Sequence, residues 1–125
     1  MGELTPGLVG EAVITVTAET ATKHTGARAV LTTPSLVHLI EIASINCTQP
    51  HLPPNHTTVG YEVHLKHLAP TPIGMQVRAR SELVAVDGRK LEFRVEAYDE
   101  RQQVGEGTHR RAVVDLGRFK GDEKG

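Results

Sequence analysis

Apolar positions along the chain fall into two regimes. Leu36, Val37, Leu39, Ile40, Ile42, Ala43 and Ile45 crowd together and point in nearly every direction of a helix, whereas from Thr57 onward apolar and polar residues alternate with the period of a strand. The first regime predicts one helix of about four turns, roughly 22 Å long. Thr33 can cap it, Pro34 suits its first position because proline has no N–H to leave unpaired, and Gln49-Pro50 closes the pattern. A helix apolar all round belongs in an interior. Ser35, His38, Glu41, Ser44 and Thr48 nonetheless form a polar seam along it, at spacings of three and four read as one face.

Strand signals surround the helix. Glu11–Ala18 alternates with Ala12, Ile14, Val16 and Ala18 on one side, and Glu19–Arg28, polar and without period, reads as a connection over the start of the helix. After a proline-rich loop at His51–His56, Thr57–Ala69 places Val59, Tyr61, Val63 and Leu65 on one face, with His67 continuing that row, and Glu62, His64 and Lys66 on the other. Met75–Leu83 and Leu91–Ala97 alternate in the same way on either side of Asp87-Gly88, a hairpin signal that calls for positive φ. In the last strand, Gln103–Leu116, Gly105 and Gly107 suggest a bulge or a close backbone approach. Residues 117–125 are polar and read as a frayed tail.

The expected fold is α+β: one domain over residues 1–125, with an antiparallel sheet of about five strands wrapped around one long helix and the last four strands joined as a meander. One helix covers such a sheet incompletely, so a homodimer is expected.

Composition narrows the function. Fourteen Lys and Arg against fifteen Asp and Glu give no field to attract nucleic acid or an acidic membrane, and 3% aromatics leave few platforms for stacking bases. No apolar run approaches the ~18 residues of a membrane span, and Met1–Pro6 lacks the regions of a signal peptide, so the chain reads as cytoplasmic. The lone Cys47 cannot form an intrachain disulfide and is read as core packing rather than as a nucleophile. Seven histidines raise the question of a metal, but His64 and His67 point to opposite sides of a strand, and His51 and His56 sit in the proline-rich loop; no metal site is expected.

Three residues can carry chemistry. Burial raises a carboxylate's pKa, so Glu41 can act as a general base; the alternative is that it points out of the packed region or pairs with a Lys or Arg of the sheet. Thr33 either caps the helix or meets Glu41 through substrate or water, since eight residues separate them by about 12 Å along the axis. His67 can exchange protons, or it can be a core histidine satisfied by backbone.

Three stretches together resemble the hot-dog-fold acyl-CoA thioesterases, most closely the fluoroacetyl-CoA thioesterase group. They are Thr33-Pro34 followed by Leu39-Ile40-Glu41; Gly60 and His67 with Ala69-Pro70-Thr71-Pro72; and Gly105-Glu106-Gly107-Thr108-His109-Arg110-Arg111-Ala112-Val113. The resemblance implies a catalytic set of Thr33, Glu41 and His67, a backbone N–H at Gly60 serving the thioester carbonyl, and Arg111 near the acyl or CoA end. It also implies hydrolysis of an acyl-CoA with no cofactor, coenzyme A being part of the substrate, by a homodimer or a pair of dimers. The aromatic residues that cover the acyl pocket in the fluoroacetyl enzyme have no counterpart in Thr20–Leu31. Outward-facing Lys66, Arg78, Arg80 and Arg94 are candidates for the CoA phosphates. Two other readings fit the same fold: a non-catalytic acyl-CoA or small-ligand binding protein, and a hydratase or dehydratase, which the absence of an Asp-x-x-x-x-His pair disfavours.

Overall fold

The structure, a computed structural model, describes residues 3–22 and 28–118. The middle of the expected Glu19–Arg28 connection and most of the expected frayed tail lie outside the described residues. Strand β1 (Val9–Thr15) is followed by the short strands β2 (Ala21–Thr22) and β3 (Val30–Leu31), which pair with each other, and then by helix α1 (Thr33–Thr48). Strands β4 (His56–His67), β5 (Gln76–Asp87), β6 (Lys90–Asp99) and β7 (Gln103–Asp115) complete the fold.

Five strands form one antiparallel sheet in the order β1-β5-β6-β7-β4. Only β5, β6 and β7 are a meander, which corrects the expectation for the last four strands. β1 and β6 occupy both sides of β5, so β4 crosses to the far side of β7 and becomes an edge. The β5–β6 turn closes at Gly88 with φ 62°, as the Asp-Gly pair requires.

Alternation in β5 and β6 buries Val77, Ala79, Leu83, Leu91, Phe93 and Val95 against Leu36, Leu39, Ile40, Ala43 and Cys47 of α1. Each large side chain so removed from water contributes about 1.5–3 kcal/mol. The helix lies so close to β1 that a Cβ on Gly10 would fall 2.3 Å from the Ala43 carbonyl oxygen, so only glycine fits there. Cys47 is packed in this core and its thiol donates to the Leu8 carbonyl at 3.2 Å; burial pushes its pKa up, which suits packing rather than reaction.

Two expectations for α1 need correction. The cap is Thr32, whose Oγ1 accepts from the Ser35 N–H at 3.1 Å, so Thr33 is the first helical residue and its hydroxyl is not used for capping. Nor is the polar seam one face. Successive steps of three residues each fall about 60° short of a full turn, so Ser35 and His38 drift to the outer side while Ser44 and Thr48 are buried against the sheet. For the same reason the helix is not buried all round: Val37, Ile42 and Ile45 are partly exposed.

Strand β4 departs from simple alternation. Its register against β7 slips between Gly60, opposite Arg111, and Glu62, opposite Arg110, leaving Tyr61 as an extra residue in a bulge. Thr58 and Gly60 before the bulge therefore share the inner face with Leu65 and His67 after it. Val59, expected in the same row as His67, lies on the opposite face.

Candidate active site

The expected site residues fall into two groups in one chain. At the N-terminus of α1, Thr33 Oγ1 lies 2.8 Å from His67 Nδ1. Pro34 at the second helical position costs no hydrogen bond, because the first N–H groups of a helix have no partner within it. Both side chains line a cleft of about 640 Å³ with Val30, Leu31, Leu68 and Ala69. Burial lowers the His67 pKa, so the ring is neutral at pH 7 and can accept the threonine proton at Nδ1. Its Nε2 is buried without a hydrogen-bond partner among the described residues.

The second group sits two turns further along the helix. Glu41 is half-exposed rather than buried, with 39% of its side-chain surface accessible, and its Oε2 lies 3.8 Å from Nη1 of the buried Arg111. Arg111 is fixed by two bonds to Thr58, from Nε to Oγ1 and from Nη2 to the carbonyl oxygen, each 2.8 Å. Burial lowers the Arg111 pKa and Glu41 opposes that shift; an arginine stays charged regardless. Gly60 faces both. A Cβ built there would stand 3.1 Å from Arg111 Nη1, 3.2 Å from His109 Nε2 and 3.3 Å from Glu41 Oε2.

His109, within the Gly105–Val113 stretch, has no role in the resemblance. It is 2% exposed, and its Nδ1 lies 2.9 Å from Ser44 Oγ, which in turn lies 2.8 Å from Ser81 Oγ. Burial, with the Arg111 charge as a second cause, lowers its pKa to about 4. The signal available in the sequence was the inward parity that His109 shares with Arg111.

The expected outer-face cations are placed as follows. His64 faces away and pairs with Glu62 at 2.9 Å. Arg78 pairs with Glu11 at 3.1 Å, while Arg80 and Arg94 share Glu82 at 3.6 and 3.2 Å, so these arginines are engaged with carboxylates. Lys66 is exposed beside Glu106. Among the described residues no three His, Cys, Asp or Glu side chains converge as metal ligands, and no helix is long and apolar enough to cross a membrane.

A curled antiparallel sheet packed on one helix is the hot-dog architecture, and the chain superposes on a hot-dog-like protein from Thermanaerovibrio acidaminovorans with TM-score 0.85, 18% identity and 94% and 88% of the two chains covered. Residues 9–116 match the family of the fluoroacetyl-CoA-specific thioesterase. The chain belongs to that family. It is 39% identical over 90 residues to the fluoroacetyl-CoA thioesterase of Streptantibioticus cattleyicolor, a match spanning 72% of this chain and 65% of that protein, a little under two thirds of its length. A crystal structure of an alanine variant of the fluoroacetyl-CoA-specific thioesterase FlK, in complex with fluoroacetate and CoA, superposes with TM-score 0.85 at 31% identity, over 93% of this chain and 99% of that one.

Proposed function

We propose that the protein is an acyl-CoA thioesterase in which Glu41 is the general base and Thr33 and His67 assist. The observation that carries this reading is the 2.8 Å contact between Thr33 and a neutral His67 in a cleft, on a chain whose family is named for hydrolysis of a CoA thioester. Glu41 takes a proton from water, whose oxygen bonds to the thioester carbon. The C–S bond then breaks, and the proton passes to the departing CoA thiolate. The Thr33 hydroxyl, bonded to His67, holds the reacting group. The Gly60 N–H and Arg111 stabilise the negative charge that develops on the carbonyl oxygen. Free-thiol release from a panel of acyl-CoAs tests the assignment: turnover of some members should collapse in Glu41→Gln, and full turnover in that variant overturns it.

Thr33 also has the geometry of a nucleophile paired with its base, which favours a second route through an acyl-threonine. Mass spectrometry of the protein quenched during turnover should then show the acyl mass on the peptide holding Thr33.

The site is proposed to be completed by a homodimer. Thr33 and Glu41 are separated by about 12 Å along the helix. Gly60 and His67 are separated by roughly 20 Å along β4, whereas reacting groups must approach to about 3–3.5 Å. Among the described residues the outer edge of β4 has no strand partner, and it carries Tyr61 and Val63, 50% and 40% exposed. Antiparallel pairing of two β4 edges lays the first half of one strand beside the second half of the other. Glu41, Gly60 and Arg111 of one subunit then face the Thr33–His67 pair of its partner.

A further inference from the structure

We propose that His109 is a further catalytic residue: a neutral imidazole, oriented by the buried pair Ser44 and Ser81, whose Nε2–H donates beside Gly60 to the oxygen of the thioester carbonyl. The inference rests on the thioesterase reading and adds a donor that the family resemblance did not assign.

The hydrogen-bond chain fixes the tautomer. Ser44 and Ser81 are fully buried, and among the described residues the Ser81 hydroxyl meets only Ser44 Oγ. If Nδ1–H donated to Ser44, the Ser44 hydroxyl would have to donate to Ser81, and the Ser81 proton would be left unpaired in the core. An orphaned buried donor costs more than a paired one yields. The arrangement that pairs both hydroxyl protons runs the other way: Ser81 donates to Ser44, Ser44 donates to Nδ1, and the ring proton sits on Nε2, beside the exposed Gly60.

That Nε2–H points at a place built to be empty. Gly60 is exposed, and the space its missing side chain would occupy lies 3.2 Å from His109 Nε2 and 3.1 Å from Arg111 Nη1. An oxygen laid against Gly60 therefore meets an N–H and a guanidinium on one side and the Glu41 carboxylate on another. Burial and the neighbouring Arg111 keep His109 from becoming a cation, so it polarises a carbonyl as a neutral donor, without exchanging a proton.

Two measurements test this. Nitrogen NMR of the imidazoles in the unmodified protein at pH 7 should show His109 as the Nε2–H tautomer; an Nδ1–H tautomer or a protonated ring overturns the proposal without reference to activity. Steady-state kinetics then compare His109→Leu with His109→Gln, whose amide N–H reaches toward the Nε2 position. Removing one such donor elsewhere costs about 10²–10³ in kcat, so His109→Leu should lose at least about tenfold in kcat with KM within about twofold, and His109→Gln should recover most of the loss. A folded His109→Leu with undiminished kcat, or a His109→Gln no better than it, refutes the role. If His109→Leu does not fold, the tautomer and the turnover of His109→Gln relative to the unmodified protein still decide: a Gln variant slowed a hundredfold or more refutes it. Failure of the thioesterase reading shows separately, as full turnover in Glu41→Gln, and leaves the tautomer measurement unaffected.

Discussion

Mixing two inactive variants should restore activity if the catalytic groups come from different subunits. Take Glu41→Gln, which removes the proposed base, and His67→Ala, which removes the partner of Thr33; each alone should be nearly inert. Within one chain the Thr33–His67 pair stands away from Glu41: Thr33 and Glu41 are about 12 Å apart along α1 by its rise per residue, and His67 is roughly 20 Å along β4 from Gly60, which faces Glu41. In a mixed dimer one interface site combines both defects. The other combines the intact Glu41 of the His67→Ala subunit with the intact Thr33 and His67 of the Glu41→Gln subunit. Equal amounts with free exchange give half of all dimers mixed, with one working site of two, so about one quarter of the unmodified activity should return. The assay is thiol release from the best acyl-CoA after co-incubation or co-expression, with sedimentation confirming a dimer. Recovery no greater than the sum of the two variants, in a preparation shown to exchange subunits, refutes the divided site.

Further outcomes follow from particular contacts. Thr32→Ala should lower stability by about 1 kcal/mol by removing the helix cap, seen as a fall of a few degrees in Tm, while Thr33→Ala should leave Tm unchanged and depress turnover. Gly10→Ala should cost about 2 kcal/mol or more in urea denaturation, because its Cβ would sit 2.3 Å from the backbone of α1. His109, lowered from 6.5 to about 4, binds its proton more readily in the unfolded chain, so its contribution to stability is full above pH 6.5 and is lost as pH falls toward 4. Between pH 7 and pH 5 that loss amounts to about 2 kcal/mol, and the lowered pKa of His67 adds to it with the same sign. Urea midpoints should therefore fall over this range, and less steeply in His109→Gln; equal slopes for the two proteins would refute the account.

The inner faces of β5 and β6 could be read from alternation alone, since Val77, Ala79, Ser81, Leu83, Leu91, Phe93, Val95 and Ala97 are all buried as the period of two requires. So could the helix, because a dense apolar run beside Thr-Thr-Pro has few other conformations. Strand order was not readable. Which neighbour β4 chooses is a long-range choice that its own pattern does not encode. The helix seam misled because steps of three look aligned on paper and drift by about 60° each in space. The cap falls on Thr32 and not on the expected Thr33 because either of two adjacent threonines before a proline can serve, and that choice leaves the Thr33 hydroxyl to meet His67.

The bulge at Tyr61 shows where local pattern and site chemistry part company. Gly60 and His67 are seven residues apart, an odd number, so an unbroken strand would put them on opposite faces of the sheet. One of them would then point away from the helix, and no arrangement of subunits would bring both to the same substrate. The extra residue reverses the parity midway and turns Thr58 and Gly60 inward, where Thr58 can hold Arg111 and Gly60 can leave its space open beside Glu41. Deleting Tyr61 would leave Gly60 still opposite Arg111 and on the face of His67, because the extra residue is the one that the ladder does not pair; the inward Gly60 is tested instead by filling its space. In Gly60→Val the new Cβ would stand 3.1 Å from Arg111 Nη1 and 3.3 Å from Glu41 Oε2, so the expected result is a protein that folds, keeps its β-sheet circular dichroism and has lost turnover. Retained turnover in Gly60→Val would show that the open space at Gly60 is not needed for the chemistry.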